Sequence, residues 1–250
     1  MRFYSILLFF LSWNIALSQT FEETQLQNTR VQTAKAAKEN LLTKLCSDQG
    51  IDFDEIVNIY IRAFKYEKKL EVWVQGDFDS DYRLIKEYDF CISSGSLGPK
   101  RKQGDGQIPE GYYFLSRFNP NSNYYLSLGV NYPNPSDSKQ SDNKRLGGDI
   151  YIHGSCQSIG CIPITDDGIK ELYWLSVKAR NNGQIDIPIH IFPYKFDEHS
   201  LEERSKSGNY KRDEMLKQFW QNLEGGYYYF LINRKPPLVI IDDEGNYHYL

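Results

Sequence analysis

The chain has 250 residues, of which 40% are hydrophobic and 15% aromatic, and its formal net charge is −4 at pH 7. This apolar content is sufficient for one large folded domain or two small ones, so an intrinsically disordered chain is excluded. The nearly balanced charge gives no bulk electrostatic attraction to nucleic acid or to an acidic surface. Nineteen tyrosines and fourteen phenylalanines favour strands and aromatic-lined grooves without identifying a ligand.

Residues 1–18 have the features of a secretory signal peptide. Arg2 precedes a mostly apolar run, and Ala16 and Ser18 place small side chains at the −3 and −1 positions of a cleavage site. An uncleaved membrane anchor is the alternative, but polar residues interrupt the run and it is shorter than the ~20 residues that a spanning helix needs. We therefore predict an exported protein of the periplasm or cell envelope, with no stable membrane insertion after cleavage.

Four cysteines, Cys46, Cys91, Cys156 and Cys161, would suggest two disulfides in an exported protein. For Cys46 and Cys91, two buried thiols are the favoured interpretation, and a disulfide between them is the alternative. The Gly-rich context of Cys161 indicates a reactive site, which a bridge to Cys156 would block. Cys161 is therefore predicted to be a free thiol.

Before position 131 the sequence predicts one helix followed by an antiparallel sheet. Apolar residues at three- and four-residue spacing predict the helix over residues 29–45. A loop rich in glycine and proline follows over residues 93–111, where Lys100, Arg101 and Lys102 are predicted to form a solvated tip; the alternative is that they hold an anionic substrate. Segments rich in β-branched and aromatic residues predict strands over 56–64, 70–75, 82–93, 112–115 and 124–130.

Beyond position 131 the sequence predicts two helices and two further strands around a polar loop. Residues 131–148 form a candidate lid or an exposed loop. His190 lies on an otherwise apolar strand and is predicted to be a core histidine rather than a catalytic one. The helices are predicted over residues 165–180, with acidic residues at the positive end, and over 211–223, ending at Gly225-Gly226; the strands are predicted over 187–192 and 238–241.

Residues 149–161 combine a short strand, a histidine and a cysteine. Alternating side chains predict a strand that ends at His153, and a loop of small residues leads to Cys161. A thiol is a weak nucleophile until a neighbour takes its proton, and an imidazole with an unperturbed pKa of about 6.5 can do so near neutrality. The residues just before Cys161 suit backbone N–H groups that point at an oxyanion. This pattern predicts Cys161 as a nucleophile and His153 as its base.

Two other kinds of site are less consistent with the same segment. His153, Cys156 and Cys161 could supply three zinc ligands, but no second closely spaced pair follows, so no metal is predicted. A serine hydrolase would need a G-x-S-x-G elbow, which the segment lacks.

The motifs resemble a known family. Ile152-His153-Gly154 followed by Ser158-Ile159-Gly160-Cys161-Ile162 is similar to the active-site signature of YkuD-type L,D-transpeptidases, and more closely to that of their YafK-like branch. Residues 104–113 resemble the family's Gly-x-x-x-Thr-Pro-x-Gly-x-aromatic element, and residues 122–134 resemble the segment before the site. The resemblance runs from about residue 59 to about residue 192, and residues 219–237 are also similar to YafK-type chains.

The resemblance implies an α+β fold: a mostly antiparallel, β-sandwich-like catalytic domain with flanking helices, acting on peptidoglycan. Cys161, with His153 as base, would attack the L-centre carbonyl of the diamino acid in a stem peptide, while the N–H groups of Gly160 and Cys161 hold the oxyanion. Ser158 would orient or hydrogen-bond the base. No cofactor is implied. Further candidates for substrate binding are Arg62, Tyr132, Gly154 and Arg145.

Two positions depart from the family pattern. Ile108 stands where many members carry threonine, which is expected to affect only packing near the site. Ile159 stands where classical members carry a second histidine before the Gly-Cys pair. This second departure removes a polar group from beside the thiol.

Three functions share this site. If an amine from another stem peptide attacks the acyl-enzyme, the enzyme is a cross-linking or anchoring transpeptidase. If water attacks it, the enzyme is a hydrolase that releases wall-linked peptide or protein. The third hypothesis is a cell-wall binding module without chemistry. The expected partners are stem peptides, with a wall-linked protein as a further candidate and no nucleic acid.

The absence of repeats and of low-complexity linkers favours one elaborated domain. The predicted organisation is a signal peptide (1–18), an N-terminal helical segment (19–55), a catalytic domain (56–195) and a C-terminal extension of helix and strand packed on that domain (196–250).

Overall fold

The computed structural model describes residues 19–78, 80–199 and 210–250. The predicted signal peptide lies outside the described residues, as does part of the predicted C-terminal extension. The described helices are α1 (Phe21–Gln25), α2 (Thr29–Ser47), α3 (Pro135–Lys139), α4 (Thr165–Asn181) and α5 (Tyr210–Asn233). The strands are β1 (Asn58–Phe64), β2 (Lys69–Gln75), β3 (Arg83–Asp89), β4 (Gly111–Asn119), β5 (Ser127–Val130), β6 (Tyr151–His153), β7 (Ile162–Pro163), β8 (Ile187–Phe192), β9 (Val239–Ile241) and β10 (Tyr247–Tyr249).

Eight strands form one sheet in the order β3-β2-β1-β8-β4-β5-β6-β7. Five of the seven strand pairs are antiparallel, and the β1–β8 and β6–β7 pairs are parallel. Strands β9 and β10 form a separate hairpin. The predicted α+β class, mostly antiparallel with flanking helices, is confirmed, and strands β1 to β8 form a single curled sheet.

Helices cover the two faces of the sheet. On one face, α4 is buried along most of its length and α2 packs on its outer side. We call the buried apolar residues on this face the α4 core; they include Leu172, Trp174 and Ile189. On the other face, α5 packs on β1, β8 and β4 through Trp220, Leu223 and other residues of the α5 core. The β5–β6–β7 end of this second face lies beyond the α5 core.

The C-terminal helix is longer than its sequence predicts. Gly225 and Gly226 were expected to end it, but α5 continues through both to Asn233. A Cβ atom on Gly226 would lie 2.4 Å from Tyr112 Oη, and one on Gly225 would lie 2.8 Å from Tyr249 Cε2. The two glycines therefore allow tyrosines to approach the helix, and this packing outweighs their low helix propensity.

The basic loop is not a solvated tip. Lys100 is 4% exposed and its Nζ lies 2.6 Å from Asp105 Oδ1, while Arg101 Nη1 lies 2.9 Å from Asp137 Oδ1. Of the three, only Lys102 is classed as exposed. Buried cations need close carboxylate partners, and Lys100 and Arg101 have them. Asp137 also fixes the loop over residues 131–148, since this loop contains α3 and buries that carboxylate.

Candidate active site

The candidate base lies on β6, and the candidate nucleophile directly precedes the neighbouring strand β7. Ile152 on β6 is opposite Ile162 on β7, and both side chains are fully buried in the α4 core. Because successive residues of a strand point to opposite faces, Tyr151, His153 and Cys161 all belong to the other face. The thiol and the imidazole therefore lie on one face of the sheet, at the β6–β7 edge.

His153 is held as a neutral base by the backbone that follows it. Its Nδ1 lies 2.5 Å from the carbonyl oxygen of Gly154, so Nδ1 carries the proton and Nε2 is left as the acceptor. The ring of Tyr124 stacks on the imidazole at 4.5 Å, and His153 is only 1% exposed. Burial lowers the pKa of His153, and the Gly154 carbonyl partly opposes this shift.

Cys161 is a free, partly exposed thiol. Its Sγ lies 3.5 Å from the carbonyl oxygen of Asp149 and accepts a hydrogen bond from the N–H of Tyr151. Burial raises the pKa of the Cys161 thiol; the Tyr151 N–H and Lys100 lower it, whereas Asp149 raises it further. The resting pair is thus a protonated thiol and a neutral imidazole, which suits proton transfer from sulfur to Nε2 during attack.

Ser158 contacts the loop backbone, where the sequence predicted a contact with the base. Its Oγ donates to the Cys161 carbonyl at 2.7 Å and accepts from the N–H groups of Cys161 and Gly160 at 3.0 and 3.2 Å. These are the two N–H groups expected to hold the oxyanion. In this structure they donate to the serine hydroxyl, so a bound oxyanion would take the place of that oxygen.

A disulfide that the sequence interpretation missed attaches the loop between His153 and Cys161 to the rest of the sheet. Cys91, just after β3, is bonded to Cys156, and both residues are exposed. The prediction of a buried Cys91 thiol is therefore wrong, while Cys46 is a buried free thiol, as expected. Because the sulfur of Cys156 is in a disulfide, a zinc site built from His153, Cys156 and Cys161 is excluded.

Gly154 leaves room for neighbours that the sequence interpretation also missed. A Cβ atom at this position would lie 2.4 Å from Asp166 Oδ1 and 2.8 Å from the carbonyl oxygen of Tyr124. The same Asp166 oxygen accepts a hydrogen bond from Ser155 N–H at 2.7 Å. Gly154 thus permits close packing and orients the base, and these contacts account for a glycine at a position predicted to bind substrate.

The other predicted substrate-binding residues have different environments. Arg62 is 2% exposed, and its guanidinium lies over the rings of Tyr227 and Phe230 inside the protein, so it is enclosed by the α5 side of the sheet. Tyr132 is buried but lines a cavity of about 200 Å³ beside β6. Arg145 is exposed, and its carbonyl accepts a hydrogen bond from Gln103 N–H. The structure therefore brings Tyr132 to the candidate site and encloses Arg62.

His190 is a core histidine, as predicted. It is 3% exposed, and its Nδ1 lies 2.7 Å from Tyr60 Oη. Burial and the nearby Arg62 charge hold the pKa of His190 well below its ordinary value.

Among the described residues, Glu67, Glu198 and His199 form a group whose potential metal-ligand atoms all lie within 4.8 Å of one another. His199 Nε2 is 3.0 Å from Glu67 Oε1.

A larger cavity borders the candidate site. It has a volume of about 800 Å³ and lies between the 97–107 loop, the segment after α3 and the start of α5. Gln107 lines it, and the carbonyl oxygen of Gln107 lies 3.0 Å from where a Cβ of Gly160 would be. Gly160 has a φ of +127°, so both its backbone angle and this close approach require glycine. The cavity is of the size that holds a peptide-like ligand.

Comparison with known proteins identifies the family. Residues 59–181 match the L,D-transpeptidase catalytic domain named YkuD. The chain belongs to this family of L,D-transpeptidases. In particular it is similar to YafK of Escherichia coli K12, provisionally named an L,D-transpeptidase, with 36% identity over 171 residues. That alignment covers 68% of this chain, which spans 65% of the length of YafK; YafK of Escherichia coli O157:H7 gives the same values.

Two solved structures are also similar. The helical cell shape determining protein Pgp2 from Campylobacter jejuni has a TM-score of 0.43 and 19% identity, covering 76% of this chain and 74% of that chain. Bd1075 of Bdellovibrio bacteriovorus has a TM-score of 0.39 and 24% identity, covering 72% of this chain and 61% of that chain. Within the described residues, no helix combines the length and the apolar character that crossing a bilayer requires.

Proposed function

We propose that the chain is a cysteine acyltransferase that acts on peptidoglycan stem peptides. The observation that carries the proposal is that His153 on β6 and Cys161, directly before the adjacent β7, lie on one face of the sheet, with the proton of the imidazole fixed on Nδ1 by Gly154. The unprotonated Nε2 takes the thiol proton as sulfur attacks the donor carbonyl, and the resulting imidazolium gives that proton to the departing amine. The product of this half-reaction is a thioester with the donor peptide.

The acceptor that resolves this thioester decides the reaction. An amine of a second stem peptide gives a cross-link, and the cavity beside Gln107 is large enough for such an acceptor. Hydrolysis, which would release wall-linked peptide or protein, is the second candidate because Cys161 is partly exposed and water can reach it. Both reactions require the same thiol and imidazole.

Export to the periplasm or cell envelope is part of the same proposal. The predicted signal peptide supports it. The Cys91–Cys156 disulfide supports it independently, since both cysteines are exposed and exposed disulfides persist in oxidising compartments.

Product analysis tests the reaction. The protein without residues 1–18 is incubated with disaccharide-tetrapeptides, and the products are identified by mass spectrometry. Dimers or exchange of the terminal D-alanine would indicate a transferase and shortened peptides a hydrolase, whereas unchanged peptides would indicate a binding module and contradict the proposal. Cys161→Ser and His153→Ala should abolish every product.

Two matched variants control for nonspecific effects on the fold. Cys46→Ala removes the other free thiol, and His248→Ala removes a histidine on β10 that pairs with Asp242. Both variants should retain the activity of the parent. Activity in Cys161→Ser would contradict a cysteine nucleophile.

A further inference from the structure

Four residues form a row across the open end of the sheet. Arg117 on β4 is opposite Gly129 on β5, and Gly129 is opposite Tyr151 on β6. Tyr151 in turn is level with Cys161, because the next residues, Ile152 and Ile162, are paired. Neighbouring strands are roughly 4.8 Å apart, so this row begins at the thiol and extends away from it by about two or three strand spacings.

A bulge and a glycine bring Arg117 into this row. The β4–β5 register shifts between Leu115 and Arg117, and such a bulge changes the face toward which the following side chain points. A Cβ atom on Gly129 would lie 3.0 Å from Arg117 Cβ and 3.2 Å from Tyr151 Cε1. Gly129 therefore allows the arginine side chain to cross the sheet toward Tyr151, whose Oη accepts a hydrogen bond from Arg117 Nη1 at 2.6 Å.

The row also presents a negative charge. Tyr151 Oη donates to Asp149 Oδ1 at 3.4 Å, and Arg117 Nη1 is 3.9 Å from the same oxygen. The side chains of Arg117 and Asp149 are 62% and 84% exposed, so both charges can bind a ligand, and an exposed pair at this separation contributes little to folding stability. Asp149 has a φ of +56°, and its carbonyl oxygen contacts the sulfur of Cys161.

We infer that Arg117, Asp149 and Tyr151 form a subsite for an α-amino-acid zwitterion next to the thiol. The guanidinium binds the carboxylate, the Asp149 carboxylate binds the ammonium group, and the cavity of about 200 Å³ that these residues line accommodates both. This inference rests on the proposed function, because it identifies a part of the stem peptide. A diaminopimelyl residue whose L-centre carbonyl is at Cys161 carries such a zwitterion at its D-centre, beyond a short methylene chain. A lysyl residue lacks the carboxylate.

Binding to an inactive protein tests the subsite without turnover. Two tetrapeptides that contain meso-diaminopimelate, one with a free D-centre carboxylate and one with that group amidated, are titrated calorimetrically into the Cys161→Ala protein. We expect the free carboxylate to bind about tenfold more tightly. Adding Arg117→Gln should abolish this preference, so that the two affinities become about equal. The change should come chiefly from weaker binding of the peptide that has the free D-centre carboxylate. Arg117→Lys, which keeps the charge without the planar fork, should give an intermediate preference.

The control and the contradictory outcomes are distinct. Arg83→Gln replaces an exposed arginine on β3, at the opposite edge of the sheet from β7, and should preserve the tenfold preference. Melting temperatures of all variants exclude misfolding as the cause of any loss. Equal binding of the two peptides by the Cys161→Ala protein that retains Arg117 would overturn the subsite alone. An undiminished preference after Arg117→Gln would do the same. No binding of either peptide would overturn both the subsite and the proposed stem-peptide substrate.

Discussion

At the scale of single residues, the environments of His153 and Cys161 make a prediction about pH. A general base must be unprotonated to accept a proton, so activity falls as the pH drops through its pKa. Burial lowers the pKa of His153 below its ordinary value of 6.5, and the imidazole therefore stays neutral to a lower pH. We expect the acid limb of alkylation of Cys161 by iodoacetamide to lie below pH 6.5 and to disappear in His153→Ala.

Intact-protein mass spectrometry measures this reaction, and Cys46 is an internal control. Cys46 is fully buried, and burial raises its pKa to about 12, so it should remain unlabelled while the protein is folded. An acid limb above pH 7 would contradict a base with a lowered pKa.

Ser158→Ala distinguishes the two roles considered for the serine. Its hydroxyl forms hydrogen bonds with backbone atoms of Gly160 and Cys161, so its loss should loosen the loop between His153 and Cys161. We expect kcat/KM to fall by about tenfold, equivalent to about 1.4 kcal/mol. The acid limb of the pH–rate profile should not move, because the hydroxyl bonds to the loop backbone. Ser158→Thr keeps the hydroxyl and should recover most of the activity. A shift of the acid limb in Ser158→Ala would instead support a contact with the base.

The sequence indicates candidate side chains for this site but not the contacts of its backbone. His153 and Cys161 were predicted because alternation and small residues are visible along the chain. The group that orients the base is the Gly154 carbonyl, which every residue type possesses and no sequence pattern marks. The partner of Cys156 was also hidden, since Cys91 is 65 positions away and reaches the loop only through the folding of the sheet.

At the scale of elements, the Cys91–Cys156 disulfide connects the segment after β3 to the loop that carries the site. We expect Cys91→Ser with Cys156→Ser to lower the free energy of unfolding by about 2–4 kcal/mol, because the bond closes a long loop in the unfolded chain. Activity should fall as well, since the same loop contains Ser158. Urea unfolding and product formation measure the two effects. Cys46→Ser is the matched control for activity, and equal activities of the double variant and the parent would contradict a positioning role.

Helix α5 provides a second prediction at this scale. Gly226→Ala would normally favour a helix by about 1 kcal/mol. Here the new methyl group would overlap Tyr112 Oη and Tyr249 Cε1, at 2.4 and 2.5 Å, so we expect a net destabilisation of about 1–3 kcal/mol in urea unfolding. Gly148→Ala, where the nearest atom is 4.0 Å from the new Cβ, should change stability little. A stabilised Gly226→Ala protein would contradict the packing.

This helix also shows why element types were predicted better than their ends. The 3.6-residue spacing of Leu216, Phe219 and Trp220 predicted a helix, and α5 is present. Its continuation past Gly225 depends on tyrosines from β4 and β10, which are distant in sequence. In the same way, the apolar strands were predicted, whereas their order and the parallel β1–β8 and β6–β7 pairs follow from contacts between distant segments.

At the scale of the whole molecule, buried charged residues attach the N-terminal helix α2 and the C-terminal helix α5 to the sheet domain, meaning the eight-stranded sheet together with α4. Lys38 of α2 lies 2.9 Å from Glu171 of α4, which is 3% exposed. On the other side, Glu110 is fully buried, pairs with Lys65 at 2.8 Å and accepts a hydrogen bond from Trp220 Nε1 of α5 at 2.7 Å. Each terminal segment thus depends on a charge that the sheet domain buries.

We therefore predict that the folded chain unfolds as one cooperative unit. Circular dichroism at 222 nm and tryptophan fluorescence should give coincident urea transitions, because Trp220 reports on α5 and Trp174 on α4. Glu110→Gln should lower the free energy of unfolding by about 3–5 kcal/mol within this single transition, since it leaves the Lys65 ammonium buried without its counter-charge. Combining Glu110→Leu with Lys65→Met removes both charges and should recover most of the loss. Separate transitions for the two probes would show instead that the C-terminal helix is an independent unit.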